Sequence, residues 1–275
     1  MQDTMMSRPA FLSARRLVGF ALLLALSLCA FLPPLLGGAD PFKQTLSHAL
    51  KAPSASDWFG FDHLGRSMAA RMSAALRLSL GLALLSVFTA MIPGVLLGVA
   101  AAWRGGVIDR LIGSFSEAFL ALPGLLLVLM LTAIAPDNPA MLYIGISLVL
   151  WVEYFRMTRA LARPLLASPA VEASRLLGFG PAYIVRRHLW PEIAPMLLTM
   201  GAYGAAAAVM AIAALGFVSV GVRPPTPELG SMMIELLPYY EEAPHGLIQP
   251  IVVIFMMVLA LQLIAGQMNS GKDRA

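Results

Sequence analysis

An all-α membrane protein of six transmembrane helices is the fold class that this sequence predicts, on three observations. Of its 275 residues, 59% are hydrophobic and only 12% charged, against roughly 45 to 50% apolar and about 25% charged in soluble domains. The mean hydropathy is +0.79. The apolar residues gather into six runs, each near the roughly 20 residues that a helix needs to span a bilayer, and none shows the alternation of barrel strands. Only helices or closed barrels satisfy every backbone hydrogen bond in lipid, so such runs predict a helical bundle.

The first run, Leu17 to Leu36, follows Arg15 and Arg16. A secretory signal is the alternative there, because Leu26-Ser27-Leu28-Cys29 faintly resembles a lipoprotein cleavage box. Leu28 is too large for such a box, and the uncharged run continues past Cys29 to spanning length, so it reads as an uncleaved first span. Residues 1–36 thus form the N-terminus and first span, and 37–75 an outer loop too short for a domain. That loop carries Asp57, Asp62 and the amphipathic "DWFGFDHLGRS". A five-span core over 76–268 holds Leu78 to Trp103, Leu111 to Ala135, Ala140 to Ala160, Pro195 to Val222 and Leu247 to Met268, with a long inner loop at 160–194; a tail follows at 269–275. Pro93, Gly94, Pro123, Gly124 and Gly201 to Ala208 fall inside spans, where small residues allow close helix contact and proline kinks. A second outer segment, Arg223 to Gly246, contains Pro224-Pro225-Thr226-Pro227 and the acidic pair Glu241-Glu242.

Net charge is +4, but the bases sit in short loops between apolar runs, as orienting charges do, and no nucleic-acid partner is implied. With the N-terminus inside, Arg8, Arg15, Arg16, Arg104, Arg110, Arg156, Arg159, Arg163, Arg175, Arg186, Arg187, Lys272 and Arg274 all lie inside. Lys43, Lys51, Arg66, Arg71, Arg77 and Arg223 remain outside. The majority points both termini to the cytoplasm, although Arg66, Arg71 and Arg77 argue locally for the reverse.

No GxxxxGK[ST] cradle, HExxH or GxSxG occurs, so the chain shows neither its own nucleotide grip nor a hydrolase device. His48, His63, His188 and His245 are scattered without ligand spacing, and no metal site is expected. Glu117 is the acid deepest in an apolar run; an intramembrane acid is a functional candidate, set against pairing with a base such as Arg110 near the inner interface. Glu153 and Arg156, three residues apart, read as a helical ion pair. The 17 methionines read as adaptable packing.

The inner loop carries more information. Ser168-Pro169 offers a helix start, Glu172 falls in the first turn and Gly178 is a stop. Gly180-Pro181 opens a second short helix, Ala182 to Leu189, which Pro191 is expected to break ahead of span five. Two helices this short need something to pack against. Val171, Leu176, Leu177, Phe179, Tyr183, Ile184, Val185 and Trp190 supply apolar surface beside Glu172, Arg175, Arg186 and Arg187. That mixture fits either a protein interface or an amphipathic loop on the membrane surface.

Glu172-Ala173-Ser174, Gly178, Ile184, His188 and Pro191 resemble the EAA loop of ABC importer permeases. "FGFDHLGRSMAARMSAALRLSLGLA", "SEAFLALPGLLL" and "GVRPPTPELGSMM" are similar to segments of the dipeptide, oligopeptide and nickel branch of that superfamily. Ser67, Gly216-Phe217-Val218 and the C-terminal "GQMNSGKDRA" depart from that branch's usual pattern. The resemblance implies a type I ABC importer permease fold and a non-catalytic inner-membrane subunit that imports short peptides or a nickel or metal-chelate solute. It implies a second permease subunit in a heterodimer, two ATPase subunits holding ATP and magnesium, and an extracytoplasmic binding protein. It assigns ATPase coupling to Glu172, Ala173, Ser174, Gly178, Phe179, Tyr183, Arg186, Arg187, His188 and Pro191. Binding-protein contact falls to Asp62, Arg66, Pro224, Pro225, Pro227, Glu241 and Glu242. An ion-coupled carrier centred on Glu117 and Glu153, or a membrane scaffold without flux, are the alternative classes.

Overall fold

The computed structural model describes residues 14–55, 57–135 and 138–266; Arg8, the 269–275 tail and its Lys272 and Arg274 lie outside them. The helices are α1 (Ala14–Leu35), α2 (Met68–Arg104), α3 (Gly106–Leu120), α4 (Gly124–Ile134), α5 (Pro139–Leu166), α6 (Pro169–Leu176), α7 (Pro181–Ile184), α8 (Trp190–Phe217), α9 (Leu229–Leu236) and α10 (Pro244–Ala265). Among the described residues the only extended pairing is an isolated bridge between Phe61 and Ser67. Five helical stretches are long and apolar enough to cross a membrane, and α3 with α4 makes a sixth only as a bent pair.

That bend corrects the sequence reading, which has Leu111 to Ala135 as one run. The two halves meet at 79°. Pro123 has no N–H to give the Phe119 carbonyl, and its ring clashes with the preceding turn, so the ladder stops there and restarts at Gly124. A second correction concerns Pro191, which does not break the chain. Helix continues from Pro181 to Phe217 through one wide turn, Val185–Leu189, in which the Trp190 N–H donates to the Val185 carbonyl five residues back. The wider turn relieves the clash that Pro191 would make in a regular α-helix.

The centre of the bundle is α2 lying along α5, which buries Leu80, Val87, Leu150, Trp151, Tyr154 and Phe155. Two glycines set how close the axes come. A Cβ on Gly94 would stand 2.7 Å from the Tyr154 Cβ, and one on Gly98 would stand 2.8 Å from both the Phe155 carbonyl and the Thr158 Cβ. In lipid, where apolar surface gains little from leaving the solvent, such backbone proximity is the main source of helix affinity. Gly98→Leu is therefore expected to cost about 1 to 3 kcal/mol of stability by overpacking, read as a lower melting temperature in detergent, while Gly81→Ala, which meets open space, should leave it unchanged.

Around this pair α8 packs on α2 and α10, and α1 packs on α2 and α10. The connection after α8 returns through α9, whose start is held by Glu228. That carboxylate is buried and accepts from the Gly230 and Ser231 backbone N–H groups at 2.9 and 2.7 Å. Gly216, one of the departures from the branch pattern, leaves room for it, since a Cβ there would overlap the Glu228 carboxylate.

Candidate functional site

Two sites stand at opposite ends of the bundle. At the end where α2 and α5 finish, α6, α7 and the wide turn form a hairpin. Helix α6 starts after Ser168, but the Ser168 hydroxyl donates back to the Leu165 carbonyl at 2.7 Å and caps nothing. Its stop is built as expected at Gly178, with φ of +81°. There the Phe179 N–H donates to the Ser174 carbonyl and the Gly178 N–H to that of Arg175, a paired arrangement that closes a helix on a left-handed residue. The Ser174 hydroxyl lies 2.9 Å from His188 Nε2, which ties α6 to the wide turn. The Arg175 guanidinium lies over the Trp103 ring at 5.4 Å, which ties it to α2.

The hairpin has two faces. Val171, Ile184 and Leu189 are buried against the bundle. On the other side Leu176 and Leu177 are 84% and 75% exposed, and Phe179 and Tyr183 stack on one another at 4.1 Å while both remain exposed. Glu172, Ala173, Arg186, Arg187 and Pro191 are exposed beside them. Of the anchors grouped together in the sequence reading, Val171 and Ile184 therefore serve the protein's own core, Val185 is half-buried, and Leu176, Leu177, Phe179, Tyr183 and Trp190 are exposed.

At the other end, Asp62, Arg66, Arg71 and Glu235 form one ion-pair network. Asp62 and Arg71 are both fully buried. Arg66 bonds Asp62 at 2.5 Å and Glu235 at 2.9 Å, and Arg71 bonds both Asp62 and, at 2.8 Å, Glu235. The loop is folded around Asp62, whose other oxygen accepts the Leu64 and Arg66 backbone N–H groups. Gly65, at φ of +69°, closes that turn where a Cβ would overlap the Thr45 carbonyl. Asp62, His63 and Glu235 offer metal-ligand atoms within 4.8 Å of one another. Arg66 and Arg71 are both bonded to Asp62 Oδ2 and Glu235 Oε2, and their charge opposes a bound cation, although Glu235 Oε1 and His63 Nδ1 are buried without a hydrogen-bond partner.

Burial pushes the Asp62 carboxyl up, but the Arg66 N–H, the Arg71 charge and the side-chain bonds from both arginines outweigh it and hold the group below its ordinary 3.8. Burial, foremost, holds His63 below its ordinary 6.5, stacked on Tyr239 at 5.3 Å. For an acid held low in the folded state, the stabilising contribution is present above the ordinary carboxylate range and is lost as pH falls through the depressed value. Melting temperature in detergent is thus expected to hold on acidification to about pH 4 and to fall below it. A decline beginning near neutrality would show that Asp62 does not set acid stability.

Residues 94–270 match the family of binding-protein-dependent transport system inner membrane components. The chain belongs to that family. It is 33% identical over 261 residues to the di/tripeptide transport system permease protein DppC of Pseudomonas aeruginosa, covering 93% of this chain and 86% of the relative. It is 29% identical over 265 residues to the nickel transport system permease protein NikC of Escherichia coli K12, covering 96% of each. It is also 29% identical over 223 residues to the glutathione transport system permease protein GsiD of Pectobacterium atrosepticum, covering 81% and 74%. A solved chain of the inward-facing MetNI methionine ABC transporter superposes with a TM-score of 0.51 at 19% identity, over 70% of this chain and 93% of that one. The fold is that of a type I ABC importer permease, an inner-membrane component.

In this permease the residues assigned from sequence to binding-protein contact divide. Pro224, Pro225, Glu241 and Glu242 are exposed. Asp62, Arg66 and Pro227 are buried, so they do not present a contact surface. The charges of Asp62 and Arg66 read as surface in a sequence because the partner, Glu235, lies 169 residues from Arg66. The expected Glu153–Arg156 and Glu117–Arg110 pairs are not formed. Arg110 bonds the Gly106 carbonyl of its own helix instead. The permease also has a pairing that the sequence reading missed, in which Asp109 bridges Arg159, at 2.5 Å, and Arg163, joining the start of α3 to the end of α5. Its only local signal is an acid in the first turn of a helix.

Proposed function

We propose that this permease is one of two different membrane subunits of an importer of short peptides, driven by two ATPase subunits and supplied by an extracytoplasmic binding protein. The observation that carries the reading is the hairpin at 169–189. It is held to the bundle by Val171, Ile184 and Leu189 and presents an apolar patch rimmed by Glu172, Arg186 and Arg187, which is the make-up of a protein-docking surface. Glu172 and Ala173 on α6, with Phe179 and Tyr183 after it, would meet the ATPase. Ser174, His188, Gly178 and Pro191 would keep the two arms in register. Closure of the ATPases would push this rigid hairpin, and the spans continuous with it would rock between two states.

The chain itself catalyses no reaction, and ATP and magnesium belong to its ATPase partners. Peptide is the cargo adopted, because the 33% identical relative is a di/tripeptide permease. Both termini face the cytoplasm in this reading. The outer Arg66 and Arg71 are neutralised by Asp62 and Glu235, and Arg77 is bonded to the Ala30 carbonyl at 2.6 Å. The orientation rests on the larger number of Lys and Arg residues in the inner segments, a rule to which acids contribute little. Pro224, Pro225, Glu241 and Glu242 would receive the binding protein. In the assembled complex in proteoliposomes, peptide-loaded binding protein is expected to stimulate ATP hydrolysis. Transport by this chain alone under an ion gradient would overturn the reading.

A further inference from the structure

Two features of the face shared by α3, α4 and α5 are out of keeping with contact to lipid. Glu153 stands halfway along α5, about 20 Å from either end at 1.5 Å per residue, and it is exposed. A carboxylate at that depth is expected to face protein or water. The break between α3 and α4 at 121–123 is exposed as well. Non-helical backbone at membrane depth is tolerated only where protein buries it or a water-filled cavity runs past it. The two features meet, because Leu120, just before the break, lines a cavity of 490 Å³ together with Glu153, Arg156 and Met200.

The charges in that cavity are not equivalent. Arg159 and Arg163 also line it, but Asp109 holds both. Glu153 and Arg156 form no ion pair with any described residue. They lie three residues apart on one helix, so their stems emerge about 5 to 6 Å from each other on one face. An extended dipeptide spans at most about 7 Å, within reach of both side chains at once.

We propose that this cavity is part of the transport path, in which Glu153 receives the protonated amino group and Arg156 the carboxylate of a short zwitterionic peptide. The assignment rests on the peptide reading above. A bare divalent cation fits the site poorly, since one carboxylate would have to hold it in the field of three guanidinium groups. A zwitterion satisfies both free charges and leaves the Asp109 bridge intact. Leu120, Met157 and Met200 supply apolar walls that adapt to different side chains.

The test has two arms, both in the complete transporter in proteoliposomes. With Cys29 replaced by serine, Glu153→Cys is expected to react with a membrane-impermeant cationic thiosulfonate, and Leu84→Cys, at an exposed position of α2 outside this cavity, is not. An unreactive Glu153→Cys would mean that lipid or the second subunit covers the position, and the proposal falls. In the second arm the probe is dialanine. Glu153→Gln and Arg156→Gln should each lower dialanine uptake by about 10-fold or more, the loss of one charge-assisted hydrogen bond. Glu153→Asp should retain most of it, and all three variants, which alter exposed side chains with no ion pair among the described residues, should melt like the wild type in detergent. Dialanine uptake that survives both glutamine variants overturns the assignment alone, whereas absence of uptake by the wild type overturns the peptide reading and this assignment together.

Discussion

Leu176→Ala with Leu177→Ala is expected to abolish ATP-driven uptake while leaving the protein folded and inserted. Both side chains are largely exposed in the isolated chain, so their loss removes nothing from its own core. Covered by a partner, each leucine contributes about 1.5 to 3 kcal/mol, and the pair therefore accounts for at least two orders of magnitude in affinity. Co-purification of the ATPase subunits and binding-protein-stimulated ATP hydrolysis should both collapse. Gly178→Pro attacks the same surface through the backbone. Proline cannot adopt the φ of +81° found there, and it removes the N–H that Gly178 gives the Arg175 carbonyl, so α6 would lose its stop and the two arms their alignment. Glu172→Lys reverses a charge on the exposed rim and should also impair coupling. Normal uptake by the double alanine variant and by Gly178→Pro would remove the hairpin from the mechanism.

Arg71→Met should be the most destabilising single change at the opposite end. It leaves Asp62 and Glu235 sharing only Arg66, and breaking a buried charge network by removing one partner costs about 3 to 5 kcal/mol. The expected readout is a large fall in melting temperature in detergent. Arg71→Met combined with Glu235→Gln should recover much of the loss, because the remaining Asp62–Arg66 pair is then balanced. The size of that recovery measures the coupling directly. If Arg71→Met melts like the wild type, the network is not a stabilising element of this fold.

Most of the architecture was legible because it follows from solubility in lipid. A run such as Leu247 to Met268 has no other low-energy state than a helix across the bilayer, and α10 spans almost the same residues. The hairpin was legible for a local reason too, since Gly178 determines a turn through its own backbone freedom. What failed depended on distant partners. Asp62 and Arg66 look like solvated loop charges until α9 brings Glu235 to them. Glu153 and Arg156 have the spacing of an ion pair, and only their side-chain placement leaves both free. Proline misled in both directions. Pro123 breaks a run whose hydropathy is continuous, and Pro191 is carried through by a wide turn that composition does not announce.

The sequence by itself determined the class of this protein. Its apolar runs, the loops between them and the stop at Gly178 are properties of short stretches interacting with lipid, water and their own backbone. Only the tertiary structure decided which charges are spent and which are available. Arg66, Arg71, Arg159 and Arg163 are neutralised by acids 50 or more residues away in the case of Glu235 and Asp109, while Glu153 and the hairpin arginines are not. The physical reason is that an ion pair depends on distance in space, and in a bundle that distance is set by which elements pack together, here α9 on α2 and α3 on α5.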